Sequence, residues 1–220
     1  MITEFNQIED MFREIDKVMF KKADAFIIGG AALLHQGLKP ATKDIDIVFY
    51  TKEEFIGFQK ALEKLSFQPK IPGRKYTHMN INQIFQKGDF KIDLFEKEVC
   101  GRFSLTKDMM QRAKNIIDLN HLTVFLCSNE DIFLFKTMTE REGDLDDCMR
   151  LVEPGIEWKI ILQELQNQID QSKQNVWITW VGERLDILED KGLVIPIMNE
   201  LNKLRNKFFD NLEKRRTAGL

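Results

Sequence analysis

The chain has 220 residues, 43% of them hydrophobic and 30% charged, the balance of a folded chain rather than a disordered one. That length holds one sizeable core or two small domains sharing an interface. A net charge of -3 excludes the broad basic surface that sequence-blind nucleic-acid coating needs, although it leaves room for a local basic groove.

Met1 to Lys22 carries both acids and bases on an amphipathic pattern, unlike a signal peptide, and no apolar run reaches bilayer-spanning length. Phe5, Ile8, Phe12, Ile15 and Met19 recur at helical spacing, which predicts a helix over 3–22. "DAFIIGG" reads as a short buried strand and "GAALLHQG" as a helix closed by Gly37. "DIDIVFY" is a strand of β-branched and aromatic residues. "TKEEFIGFQKALEKL" is a helix whose Thr51 and Glu54 have capping-box spacing. After the turn-rich "IPGRKY", "INQIFQ" and "FKIDLFE" flank the turn "KGD" as a hairpin, and "LTVFLCS" is a further strand. From Ser128 onward the pattern is helical, at about 129–140, 142–152, 156–171, 176–190 and 193–215. The three cysteines, Cys100, Cys127 and Cys148, form no CxxC pair, so no structural zinc site is expected. Reduced thiols in a cytoplasm are the simplest account, with Cys127 and Cys148 as small core residues.

The chemistry-bearing residues are acids set in apolar strands. Alternation puts Asp44 and Asp46 on one face, roughly 6–7 Å apart along the strand, and sends Ile45 and Ile47 to the other. Two like charges side by side repel unless a cation neutralises them, and a hard, oxygen-seeking ion such as Mg²⁺ suits them. A solvated strand face is the bland account of such a pair. "FKIDLFE" repeats the pattern at Asp93. With its strand beside "DIDIV", the three carboxylates could hold two metal ions about 4 Å apart for in-line phosphoryl chemistry. Asp93 would then serve as general base as well as ligand. Gly29 and Gly30, at a strand-to-helix turn, allow close backbone approach by an anion, or simply tight packing.

These residues resemble the nucleotidyltransferase superfamily, the polymerase-β-like fold with its hG[GS] … DxD … D signature, matched by Gly29, Gly30, Asp44, Asp46 and Asp93. Within it the chain is similar to the AbiEii-type abortive-infection toxins and their relatives, through "GGAALLHQG", "ATKDIDIV" and "EDIFLFKTMTEREGDLDDCMRL". The resemblance implies an α+β fold: a mixed-sheet nucleotidyltransferase domain over 1–127, then an all-helical domain over 128–220 that completes the nucleotide and acceptor cleft. It implies transfer of a nucleotide from an NTP with pyrophosphate release, using Mg²⁺ or Mn²⁺. Asp44, Asp46 and Asp93 would be catalytic and metal-binding; Gly29, Gly30, Thr42, Lys136, Asp144 and Asp147 would serve the nucleotide. Plainer roles exist for several of these. Thr42 could cap the strand, Lys136 could snorkel at the surface, Arg141 and Asp144 could form an exposed i,i+3 pair, and Asp147 could be solvated. Relatives commonly carry arginine where this chain has Pro40, and Lys39 lacks the fork to replace it.

His35 reads as a core or helix-end histidine, and His78 and His121 have no metal-site partners in sequence. Trp177 and Trp180 read as helical core. The last helix sets Leu201, Leu204, Phe208 and Leu212 on one side against Lys203, Arg205, Lys207, Lys214, Arg215 and Arg216, a packed helix with a solvated face or a surface for RNA phosphates. A tRNA end, a protein hydroxyl and a small molecule such as an aminoglycoside remain open as acceptors, and a cognate antitoxin as partner. The other reading is a nucleotide-binding or antitoxin-like partner protein with this fold and little catalysis.

Overall fold

A computed structural model of the chain describes residues 1–70, 83–99, 101, 103–139 and 141–217. Two compact units result, Met1–Ser128 and Asn129–Leu220. The "IPGRKY" connection, Cys100 and His78 lie outside the described residues.

The first unit opens with α1 (Phe5–Val18), whose Ile8, Phe12 and Ile15 are fully buried. The helix stops short of the expected end at Lys22 because Met19 is already extended, at φ -74° and ψ 153°. Then come β1 (Ala23–Ile28), α2 (Gly29–His35), β2 (Ile45–Phe49) and α3 (Lys52–Lys64). Thr51 accepts from the Glu54 N–H and Glu54 accepts from the Thr51 N–H at 3.0 Å, closing the capping box expected there. The remaining elements are β3 (Gln68–Lys70), β4 (Gln83–Lys87), β5 (Phe90–Glu96), β6 (Glu98–Val99), β7 (Phe103–Ser104), α4 (Lys107–Arg112), β8 (Lys114–Asp118) and β9 (Leu122–Leu126). β4 and β5 form the hairpin around Gly88, which has φ +57°.

Among the described residues, seven strands make one mixed sheet in the order β3-β4-β5-β2-β1-β9-β8. β2 runs parallel to β5 and antiparallel to β1, and β1 runs parallel to β9. The sequence pattern omits the two edge strands of this sheet, β3 and β8, and also the short β6–β7 pair and α4. All three residues of β3 are exposed, and one is Pro69, which donates no ladder hydrogen bond. In β8 only Ile117 is buried. An edge strand that buries little has little alternation to read. α3 packs on β1, β2 and β5, and α1 packs on α3 and α2. Asp16, 5% exposed at the end of α1, accepts from the N–H groups of His121 (2.6 Å) and Leu122 (2.9 Å) at the entry to β9.

The second unit holds α5 (Asn129–Thr137), α6 (Glu142–Val152), α7 (Trp158–Ser172), α8 (Trp177–Asp190) and α9 (Met198–Thr217). α5 is buried from Asp131 to Thr137 and packs against α6, α7 and α8. α9 starts later than the expected residue 193, because Pro196 disfavours helical backbone at Ile195. Trp177 is core at 8% exposure, whereas Trp180 is 36% exposed and departs from the core role expected of it. Among the described residues no helix is long and apolar enough to cross a membrane.

Candidate active site

The β2–β5 register sets Asp46 opposite Asp93, and Ile45 and Ile47 opposite Ile92 and Leu94. All four aliphatic side chains have no exposure, and Phe49 of the same face meets the rings of Phe55 and Phe58 of α3 at 6.5 and 5.0 Å. The apolar half of the alternation is thus spent on the helical layer. The acidic half is left for the opposite side of the sheet. Burial of the aliphatic set holds the acids in place, since a one-residue slip would turn the whole set over.

Asp44, Asp46 and Asp93 share that side with a residue the sequence reading passed over. Lys91 stands two positions before Asp93, and its Nζ lies 3.0 Å from Asp44 Oδ1 and 3.1 Å from each Asp93 carboxylate oxygen. The Asp93 side chain is 5% exposed, those of Lys91 and Asp44 23% and 27%. Burial pushes the ammonium toward losing its proton, but the charges of Asp93 and Asp44 outweigh it and hold the pKa above the ordinary lysine value. Lys91 was legible in principle: in a strand, i and i+2 share a face, for bases as for acids.

The glycines are required by the site's own side chains. Gly29 has φ +69°, and a Cβ there would lie 2.1 Å from Asp46 Oδ2. A Cβ on Gly30 would lie 2.5 Å from Thr42 Oγ1. β1 ends with Ile28 paired to Asp46, so the chain leaves the sheet beside that carboxylate and must be bare where it turns. Thr42 is 6% exposed; its backbone pairs with Ile2, and its hydroxyl donates to the Asp44 carbonyl at 2.9 Å. It thereby fixes the backbone that carries Asp44.

Does this set fit a divalent metal? The donors are hard carboxylate oxygens, and two of the carboxylates already converge on one positive charge, the Lys91 ammonium. Among the described residues, no three His, Cys, Asp or Glu are grouped to hold an ion as they stand. The carboxylates fit a divalent metal in donor chemistry, with the Lys91 ammonium as the cation that two of them now share.

In the helical unit, Lys136 is 5% exposed and its Nζ donates to Asp144 Oδ1 at 2.9 Å and Asp147 Oδ2 at 2.8 Å. Lys136 does not snorkel at the surface, and neither aspartate is solvated: they are 4% and 2% exposed. Arg141 and Arg150 reach Asp144 and Asp147 at 2.7 and 3.1 Å. Burial would raise the Asp144 pKa, but Lys136 first and Arg141 after it bring the carboxyl down to about 2. Burial would lower that of Lys136, yet the two carboxylates keep it above its usual value. The structure therefore brings Lys136, Asp144 and Asp147 together in one unit, and Gly29, Gly30, Thr42, Asp44, Asp46 and Asp93 together in the other.

A family model described as "Nucleotidyltransferase of unknown function (DUF6036)" matches residues 6–184. The chain belongs to this family. Its match spans Asp44, the strands carrying Asp46 and Asp93, and the helices carrying Lys136, Asp144 and Asp147. No curated protein matches the chain. Among solved structures, a crystal structure of ANT(2″)-Ia in complex with adenylyl-2″-tobramycin is similar, at 12% identity over 76% of this chain and 98% of that one, with a TM-score of 0.49.

Two smaller expectations in this family member can be placed. His35 closes α2 with its ring edge-on to Phe5, centroids 4.6 Å apart, and burial, with Lys114 nearby, lowers its pKa. Cys127 and Cys148 are buried, as expected of small core residues, and burial pushes the Cys148 thiol up to about 12.

Proposed function

We propose that this nucleotidyltransferase-family chain moves a nucleoside monophosphate from an NTP to an acceptor hydroxyl, with Asp44, Asp46 and Asp93 as its catalytic and metal-binding residues. The observation that carries the reading is the register of β2 on β5, which faces Asp46 with Asp93 beside the bare turn at Gly29. Bound there, Mg²⁺ or Mn²⁺ supplies charge neutralisation for the triphosphate and a more acidic acceptor hydroxyl.

The protein's own part is placement and proton handling. A carboxylate oxygen of Asp93, in the driest position of the three acids, takes the proton of the acceptor hydroxyl. The acceptor oxygen bonds to the α-phosphorus, the bond from that phosphorus to the bridging oxygen breaks, and pyrophosphate leaves. Thr42 keeps Asp44 in position through the Asp44 carbonyl. Gly29 and Gly30 keep the turn narrow enough for Asp46 to sit against it and for phosphate to approach the backbone. Lys136, Asp144 and Asp147, to which the family resemblance gives a nucleotide-binding role, satisfy one another's charges within the helical unit.

The likeness to AbiEii-type toxins, carried by "ATKDIDIV" and "EDIFLFKTMTEREGDLDDCMRL", extends the proposal to a toxin whose acceptor is a tRNA end, a protein hydroxyl or a small molecule, restrained by a cognate antitoxin. The test is incubation with each α-labelled NTP and Mg²⁺ against cellular RNA, lysate protein and aminoglycosides, with the Asp44→Asn/Asp46→Asn double variant alongside. Label should pass to one acceptor class in the parent alone. Equal labelling by the double variant would reject the site.

One observation favours a second reading, a nucleotide-binding or antitoxin-like partner protein of little catalytic power. Asp44 and Asp93 already share a cation of the chain's own, the Lys91 ammonium. NTP binding without label transfer to any acceptor would decide for it.

A further inference from the structure

The cation at the acidic site belongs to the chain. The geometry points to Lys91 as a tethered counter-ion that holds Asp44 and Asp93 together in the metal-free protein and competes with the divalent metal for them, so that metal enters as the lysine swings out. The inference rests on the metal-site reading of the three aspartates given above.

Three features of the site carry it. First, Lys91 Nζ bridges Asp44, just before β2, at 3.0 Å and Asp93 of β5 at 3.1 Å. Without it, those carboxylates and Asp46, the cross-strand neighbour of Asp93, would repel one another on one face. Second, the residue is a lysine. A compact point charge on a flexible four-carbon stem can leave by rotation, whereas an arginine would lock two carboxylates in a planar fork. Third, the Lys91 side chain is 23% exposed while that of Asp93 is 5% exposed. Lys91 is thus the more solvent-exposed member of the pair, and its side chain is the one that rotation can carry toward water. Lys136 differs on this point: its side chain is 7% exposed and its ammonium is enclosed by Asp144 and Asp147.

The consequence is a metal affinity set by the fraction of time the lysine is away. A site open about one-tenth of the time binds about tenfold more weakly than its intrinsic affinity. Lys91→Met keeps the length and apolar stem and removes the charge. Mn²⁺ binding, read from the free-ion signal in electron paramagnetic resonance, should tighten at least about tenfold in Lys91→Met, and Asp93→Asn should weaken it in either background. Lys91→Arg should show no gain. In the parent chain, whose folding is not in question, reductive methylation of Lys91 followed by mass spectrometry should speed up saturably as Mg²⁺ is added.

Equal Mn²⁺ affinity in parent and Lys91→Met, with loss in Asp93→Asn, overturns the counter-ion role and leaves the metal site standing. Weaker binding in Lys91→Met overturns it too, because the lysine would then support the metal. No Mn²⁺ binding in either chain brings down the metal site and this inference with it. A methylation rate indifferent to Mg²⁺ overturns the displacement even if the variants fail to fold.

Discussion

Gly29 and Gly37 are matched in φ and opposite in surroundings, which makes them a controlled pair. Gly29 has φ +69° and Gly37 φ +71°, so alanine at either position enters the left-handed region, at about 1–2 kcal/mol. Nothing lies within 4 Å of a Cβ on Gly37, whereas one on Gly29 would sit 2.1 Å from Asp46 Oδ2 and 3.0 Å from Asp46 Cγ. The carboxylate must retreat by about 1.3 Å before that contact becomes an ordinary one. Urea unfolding followed by far-ultraviolet circular dichroism should give similar losses of about 1–2 kcal/mol for Gly37→Ala and somewhat more for Gly29→Ala. Function should separate them sharply. A displacement of about 1 Å at a reacting centre costs on the order of 100-fold, so Gly29→Ala should lose at least that in label transfer and should weaken Mn²⁺ binding, while Gly37→Ala keeps both. Equal transfer and equal Mn²⁺ affinity in the two variants would refute the claim that Gly29 is bare for the sake of Asp46.

Three further outcomes follow from the buried charges and thiols. The Asp144 carboxyl is held at about 2 against 3.8, so the unfolded chain binds the proton first as pH falls. Its stabilisation of about 2 kcal/mol is complete above roughly pH 4 and lost as the pH drops through about 2; Asp144→Asn should remove that acid limb. Fluorescence reports it, because Trp158, Trp177 and Trp180, the chain's three tryptophans, all lie in the helical unit. Lys136→Met leaves Asp144 and Asp147 buried without their shared cation and should cost about 3–5 kcal/mol in the same assay; a cost below about 1 kcal/mol would show that the cluster is not structural. Cys148 should stay unmodified by iodoacetamide at pH 8 until denaturant is added, since its thiol is buried and titrates at about 12.

What could be read ahead of the coordinates follows from how much each element buries. β1, β2, β5 and β9 carry dense apolar patterns and stand in the sequence plainly; β3 and β8, at the edges, leave almost no trace there. The acids of β2 and β5 were legible for the same reason as the core: alternation sorts Ile45, Ile47, Ile92 and Leu94 to one face and so fixes Asp44, Asp46 and Asp93 on the other. Period-two alternation sorts bases as it sorts acids, and Lys91 falls on the acids' face. A walk that tallies every charge finds Lys91 two residues before Asp93 and predicts a neutralised face instead of a bare acidic one. The helical cluster is a different case. Lys136 precedes Asp144 and Asp147 by 8 and 11 residues, a spacing that no single helix turns into contact, and α5 must pack on α6 before the ammonium reaches either acid. Spacing within one element can be decoded from periodicity, while spacing across a turn needs the packing itself. The same limit applies to Gly29, whose need for a bare Cα comes from a carboxylate seventeen positions downstream, brought alongside by the antiparallel pairing of β1 with β2.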